Sequence, residues 1–217
     1  MKTIDYSNQN SILGQYLSQM RDKQIQKDPR RFRMNLERIG AFFAAEISKT
    51  LNYKTIEVTT PLGIAECNVP ADNIVVATIL RAGLPLHNGI LNVFDSAEGA
   101  FVTAYRKYGK DNKFDIRIEY VTSPSLEGKV LILADTMLAT GASLLKAYER
   151  LLTHGEPLHT HFVCPVASRS AVEYLSKSLP HKKVTLWTAA IDEELTNKSY
   201  IVPGIGDAGD LCYGSKL

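Results

Sequence analysis

Cysteine is scarce in this chain: three residues in 217, Cys67, Cys164 and Cys212, far apart and odd in number. A secreted disulfide scaffold wants more of them, and an even count. No CxxC pair is present, which removes the usual zinc and dithiol motifs. Long apolar runs are lacking too, since none reaches the ~18 residues of a membrane span. The opening MKTIDYSNQN has no apolar stretch of the signal-peptide kind, so the expectation is a soluble, cytoplasmic protein in a reducing setting. Nor is there a surplus of one charge: 25 Lys and Arg stand against 23 Asp and Glu, a net of +2. A dedicated nucleic-acid binder carries a strong basic surplus, so nucleic acid is an unexpected partner, while a local basic patch stays compatible.

What is present is enough apolar material for a core. At 45% hydrophobic and 22% charged, the chain is neither a disordered tail nor a coiled coil. The length fits one compact domain over residues 1–217.

The first third reads as helical, over about 1–52. Asp28-Pro29 combines a carboxylate N-cap with a proline suited to a first turn. Phe32, Leu36, Ile39, Phe43 and Ile47 then recur at three- and four-residue steps, as on one face of a helix. Alternation at Thr55-Ile-Glu-Val-Thr-Thr60, ended by Pro61, predicts one strand. Ile74 to Leu80 is a nearly continuous apolar run, as in a strand buried on both faces. Arg81-Ala82-Gly83 breaks it and a helical stretch follows. The pattern repeats at Lys129–Ala134 with a helix near Ser143–Tyr148, then near Leu158–Pro165 with a helix near Ala171–Lys177, and ends in a strand over Lys183–Ala189. Strand, loop and helix in succession predict an α/β fold with a mainly parallel central sheet flanked by helices. Between the first two units, 101–124 holds two β-rich stretches joined by the polar Tyr108–Lys113, which predicts a protruding β-hairpin. Near the C-terminus, Pro203, Gly204, Gly206 and Gly209 mark an ordered irregular loop over 200–214 that approaches something closely, or else a tail.

In open α/β sheets ligands bind beyond the carboxyl ends of the strands. Two loops fall there. In Ala134-Asp-Thr-Met-Leu-Ala-Thr-Gly-Ala-Ser143 a buried strand ends in a carboxylate, and small residues and hydroxyls then open a helix. Such a loop can cradle a phosphate while Asp135 accepts hydrogen bonds from hydroxyls one sugar ring away. It equally fits a plain βα turn capped by the aspartate, and spacing alone does not separate the two. Arg81-Ala82-Gly83 suits a diphosphate or an ordinary surface turn. Arg106 is ambiguous by itself.

Taken together, these segments resemble the uracil phosphoribosyltransferases, of the type I phosphoribosyltransferase fold. Asp135 to Ser143 is similar to that family's loop for phosphoribosyl diphosphate (PRPP). Tyr200-Ile-Val-Pro-Gly-Ile-Gly-Asp-Ala-Gly-Asp210 is similar to its uracil loop almost residue for residue. Ile79–Leu84, Tyr105-Arg106, Glu57–Leu62 and Thr188–Asp192 keep the family's order, so the resemblance runs from about Leu17 to Gly214.

The resemblance implies transfer of the 5-phosphoribosyl group from PRPP to uracil, giving UMP and diphosphate, with Mg²⁺ bound mainly through PRPP. It implies catalytic roles for Asp135, Arg106 and Asp207. It implies PRPP contacts from Arg81, Ala82, Gly83, Arg106, Asp135, Thr136, Met137, Leu138, Ala139, Thr140, Gly141, Ala142, Ser143 and Asp207. Uracil would be read by Tyr200, Ile201, Gly206, Asp207 and Ala208, largely through backbone groups. A homodimer or higher homo-oligomer, and a GTP effector in some members, are implied as well. The chemistry needs no strong protein nucleophile: it needs a departing polyanion stabilised and the base held in line with the anomeric carbon.

Four departures from the family pattern stand out. Thr136 replaces proline, Ala142 replaces a glycine, Leu211 replaces an arginine, and Ala167-Ser168-Arg169-Ser170 replaces Ala-Pro-Glu-Gly. With the basic residues Arg30, Arg31, Arg33, Arg38, Lys23 and Lys27 they motivate two alternatives: a PRPP- or nucleotide-sensing regulator that binds RNA, and a phosphoribosyltransferase for another base. By itself the basic cluster predicts a solvated helix face. His159 and His161 alternate at a strand start, which predicts a solvated face over a metal site. The cysteines and Trp187 read as core.

Overall fold

The structure, a computed structural model, describes residues 1–108, 114–180 and 183–215, with the backbone alone over 104–108 and 114–117. In chain order the elements are β1 (Lys2–Asp5), α1 (Ile12–Arg21), α2 (Pro29–Ser48), β2 (Tyr53–Thr60), β3 (Gly63–Pro70), β4 (Ile74–Leu80), α3 (Gly83–Leu91), β5 (Glu98–Tyr108) and β6 (Phe114–Thr122). There follow β7 (Val130–Ala134), β8 (Met137–Leu138), α4 (Ala142–Leu151), β9 (His159–Val163), β10 (Val166–Ser168), α5 (Arg169–Ser178), β11 (Val184–Thr188), β12 (Ala190–Asp192), β13 (Glu194–Leu195), β14 (Ile201–Val202) and α6 (Ala208–Tyr213).

The main sheet has the order β1-β11-β9-β7-β4-β5-β6 and is parallel except for the β5–β6 pair. The expected α/β architecture is therefore observed. Its strands alternate between two cores. Ile74, Val76, Val130 and Ile132 face α1, α2 and α3, where Leu36, Ile39 and Phe43 are fully buried. Val75, Ala77, Leu131 and Leu133 face α4 and α5. Burying each such large side chain contributes about 1.5–3 kcal/mol.

Helix α2 starts where the sequence signals it. The Asp28 carboxylate accepts hydrogen bonds from the N–H groups of Arg30 and Arg31, at 3.0 and 3.1 Å, and Pro29 takes the first position. Its packing against α3 is close because of two glycines. A Cβ on Gly40 would come within 2.3 Å of Leu86 O, and one on Gly89 within 1.9 Å of Glu37 O.

The structure sharpens three expectations. The strand at 55–60 is half of a hairpin: β2 pairs antiparallel with β3 through Thr60↔Gly63, and Gly63 with φ +157° lets the chain reverse in two residues. This second hairpin is a projecting arm, exposed along nearly its whole length. The hairpin expected at 101–124 is observed as β5 and β6: its base is rooted in the main sheet, where β5 runs parallel to β4 from Val75↔Glu98 to Leu80↔Thr103, and from Ala104↔Ile118 to Tyr108↔Phe114 its two strands pair with each other beyond the end of β4. Its turn at 109–113 lies outside the described residues. The helical N-terminal part also contributes a strand, since β1 pairs with β11.

His159 and His161 do not form a solvated face. His161 is buried and accepts a hydrogen bond from Trp187 Nε1 at 3.1 Å, while His159 Nε2 lies 3.0 Å from Thr185 Oγ1. Burial drives the His161 ring down to about 3, so it stays neutral. Trp187, Cys164 and Cys212 are core residues as expected, but Cys67 sits half-buried on the projecting arm.

Candidate active site

The connections of the main sheet change direction between β4 and β7. From β4 the chain crosses to β5 on one side, and from β7 to β9 on the other. The crevice beyond the carboxyl ends of these neighbours is where such sheets take ligands. Thr78 and Ala134 are register partners, and Thr78 Oγ1 also donates to Ala134 O at 3.2 Å. The Arg81 loop and the Asp135 loop therefore leave adjoining strands side by side. Gly83 makes this possible: a Cβ there would lie 2.2 Å from Thr78 Oγ1.

Asp135 follows β7 directly, and its N–H donates to Val163 O at 3.0 Å. Burial of its carboxyl raises the pKa to about 7, against the N–H groups of Thr136 and Met137, which lower it. The loop then forms β8, whose Met137 and Leu138 pair with Val166 and Ala167 of β10. Thr136, in place of the family's proline, is buried beneath it. Gly141 takes φ +79° and caps α4, while Thr140 Oγ1 accepts from Ala142 N at 3.4 Å. Ala142 is already helical, so the left-handed residue of the turn is Gly141 and an alanine at 142 fits. Ser143 lies in the first turn of α4, partly exposed.

The substituted 167–170 turn has a structural use that sequence reading missed. The Ser168 hydroxyl donates to Ala139 O at 2.6 Å and accepts from Ala171 N at 3.0 Å. One side chain thus caps α5 and ties down the middle of the loop. Serine at a helix start was the available signal.

The C-terminal loop is ordered. β14 pairs with β13 through Leu195↔Ile201, and Ile201 is buried. Gly204 and Gly206 have φ +58° and +80°, and a Cβ on Gly204 would meet Ile201 O at 2.2 Å. Asp207 caps α6 by accepting from Asp210 N at 3.0 Å, and Ala208 opens that helix, buried. Tyr200 is exposed. Arg81 Nη2 donates to Gly214 O at 3.2 Å and lies 3.6 Å from Asp210 Oδ1. That contact joins the first loop to the third. Arg106 lies in β5, where the backbone alone is described.

Of the basic cluster, Arg33 is employed internally: its guanidinium donates to Cys212 O and covers the Tyr213 ring at 5.8 Å. Arg30, Arg31 and Arg38 line a shallow surface groove with Asp28 and Met34. No described helix is long and apolar enough to cross a membrane.

Comparison with known proteins agrees with this geometry. The family model described as uracil phosphoribosyltransferase matches residues 7–215. A uracil phosphoribosyltransferase of Porphyromonas gingivalis is 53% identical over 217 residues, covering 100% of both chains. One from Methanothermobacter thermautotrophicus is 36% identical over 207 residues, covering 94% of this chain and 93% of its own. The solved structure of the AQ2163 protein from Aquifex aeolicus has a TM-score of 0.87 at 28% identity and covers 99% of each chain. With its family match spanning residues 7–215 and its candidate loops meeting beyond the carboxyl ends of neighbouring central strands, the chain belongs to the uracil phosphoribosyltransferase family.

Proposed function

We propose that this chain transfers the 5-phosphoribosyl group of PRPP to uracil, giving UMP and diphosphate in pyrimidine salvage. The observation that carries the reading is the meeting of three loops: the Arg81 and Asp135 loops leave neighbouring strands, and Arg81 is bonded to the segment after the glycine-rich C-terminal loop. In this reading Asp135 accepts hydrogen bonds from the ribose hydroxyls. Thr136 to Ser143 wrap the 5′-phosphate with backbone N–H groups and hydroxyls at the start of α4. Arg81 with the Ala82-Gly83 peptide, and Arg106, stabilise the departing diphosphate. Tyr200, Ile201, Gly206 and Ala208 offer backbone groups to the alternating carbonyls and N–H groups of uracil. Asp207 lies between base and PRPP. A pocket matched to uracil rejects cytosine, whose amino group leaves buried partners unpaired.

Mg²⁺ belongs to this reading. It would be held mainly through the phosphates of PRPP, with the Asp207 carboxylate as a hard oxygen donor in reach, since Mg²⁺ is usually held by one or two carboxylates together with substrate phosphates and waters. When bound, it neutralises charge on the leaving diphosphate. A homodimer or higher homo-oligomer is favoured by the β2–β3 arm, whose Ile56, Val58, Leu62 and Ile64 are exposed. A GTP effector would find cations in the Arg30, Arg31 and Arg38 groove. The setting is cytoplasmic.

The test is a base panel. Pure protein with PRPP and Mg²⁺ should release diphosphate and form UMP with uracil, with little turnover of cytosine or hypoxanthine. Turnover of another base in preference to uracil would reassign the substrate. Salt-sensitive RNA binding without any turnover would favour a regulator instead. The same assay with added GTP, and a solution mass, check the effector and the oligomer.

A further inference from the structure

One ion pair far from the PRPP loop in sequence ties the ends of α1 and β12 to the C-terminal loop. Arg21, the last residue of α1, forms a two-pronged salt bridge with Asp192, the last residue of β12. Nη2 donates to Oδ1 at 2.7 Å and Nη1 to Oδ2 at 2.9 Å. Both partners also hold Gly204: Arg21 Nη1 donates to Gly204 O at 2.9 Å, and Gly204 N–H donates to Asp192 Oδ2 at 2.9 Å. The glycine's backbone is thus clamped on both its polar groups by one charged pair. The carboxylate is nearly enclosed, its side chain 8% exposed against 24% for the arginine.

The other side of Asp192 leads to the phosphate. Asp192 is the register partner of Ser168 in the β10–β12 pair. Ser168 bonds Ala139 in the middle of the PRPP loop, and β10 also pairs with β8 of that loop. A short rigid path therefore runs from Ala139 through Ser168 and Asp192 to Gly204, two residues before Gly206. The α1 end wraps the same place: Gln26 Nε2 donates to Met20 O and Arg21 O, and a Cβ on Gly206 would lie 3.4 Å from Gln26 Oε1.

We infer that Arg21 and Asp192 are positioning residues that fix the base-reading loop at a set distance from the phosphate loop. In-line attack by a base nitrogen on the anomeric carbon requires base and phosphoribosyl group to be held in one geometry, and errors of about 1 Å are costly. A glycine-rich loop that reads uracil through its backbone has few side chains of its own to hold that geometry. The fork of an arginine fits a carboxylate and a carbonyl at once, which a lysine ammonium does not reproduce. This inference rests on the base-loop reading above.

The test compares Arg21→Lys and Asp192→Asn with wild type by steady-state kinetics and by hydrogen–deuterium exchange of the unliganded protein. Loss of a charge-assisted bond corresponds to a factor of about ten or more. The expected result is a uracil KM raised about tenfold with PRPP KM changed less than about twofold. Exchange should quicken over 201–208, while the β4 and β7 peptides stay protected. A merely structural role would lower the active fraction and leave the uracil KM alone. That result, or unchanged exchange over 201–208, overturns the inference. Should wild type make no UMP at all, the base assignment falls, and the exchange comparison still decides whether the pair clamps the loop.

Discussion

The hydroxyl of Ser168 donates a 2.6 Å hydrogen bond to the carbonyl oxygen of Ala139, across a gap of 29 residues. The same oxygen caps α5 through Ala171 N. Ser168→Ala removes both bonds from a fully buried position. A lost cap and a lost hydrogen bond together cost about 1.5–3 kcal/mol. Denaturant unfolding should report that loss, and PRPP KM should rise because residues 139–143 are less firmly held. Unaltered stability and unaltered PRPP KM would show that water or Ser170 takes over both contacts.

Gly141 and Ala142 make a paired expectation. Gly141 sits at φ +79°, and a Cβ there would approach Tyr174 Cδ1 to 3.0 Å. Gly141→Ala should cost about 1–2 kcal/mol from the backbone alone. Ala142→Gly restores the family's second glycine, yet the residue is helical, so it should cost about 0.5–1 kcal/mol and gain nothing in PRPP affinity. Urea midpoints of the two variants, with PRPP KM for the second, check this. A tighter PRPP KM in Ala142→Gly would mean that the alanine methyl obstructs the phosphate.

Much of this was legible in the sequence, because local signals were strong. The apolar run at Ile74–Leu80 and the Asp28-Pro29 start agree with β4 and α2 to within a residue. Small residues and carboxylates after buried strands marked the Arg81 and Asp135 loops as candidates, but only the family resemblance separated them from ordinary turns and singled out the C-terminal loop. The β2–β3 arm was half-missed, since β3 alternates on a surface with no core face to make its pattern apolar. The Arg21–Asp192 clamp and the Ser168 brace were not legible at all. They join residues 171 and 29 positions apart, and a lone arginine or serine carries no mark of its distant partner.

The thiols should react unequally. Burial raises the Cys164 pKa well above the ordinary range, with Asp135 beside it adding to the effect, and burial pushes Cys212 up to about 12. Neither forms the reactive thiolate near neutral pH. Cys67 is half-buried on the arm. A disulfide-exchange reagent should label one thiol in the native protein and three after denaturation. Labelling of Cys164 at the rate of Cys67 would show that the core beside Asp135 opens readily.

Asp135 links activity and stability to pH in opposite directions. Its folded pKa is raised, from an ordinary 3.8 to about 7. Between those values the folded carboxyl holds a proton that the unfolded one has lost. Its contribution to stability is therefore complete below 3.8, declines through the interval and is gone once pH passes about 7. Asp135→Asn cannot titrate, so the variant should gain stability relative to wild type as pH rises from 4 to 8. In the free enzyme, the carboxylate that accepts ribose hydroxyls is present only above about 7, so kcat/KM for PRPP should fall as pH drops through that value. Asp135→Asn should lose most of the activity while remaining folded, and with it that limb of the profile. Thermal melts across pH and a kcat/KM profile measure both effects. A stability difference that does not change with pH would mean that Asp135 is ionised in the folded protein at acid pH, and a near-normal rate in the variant would remove it from the ribose site.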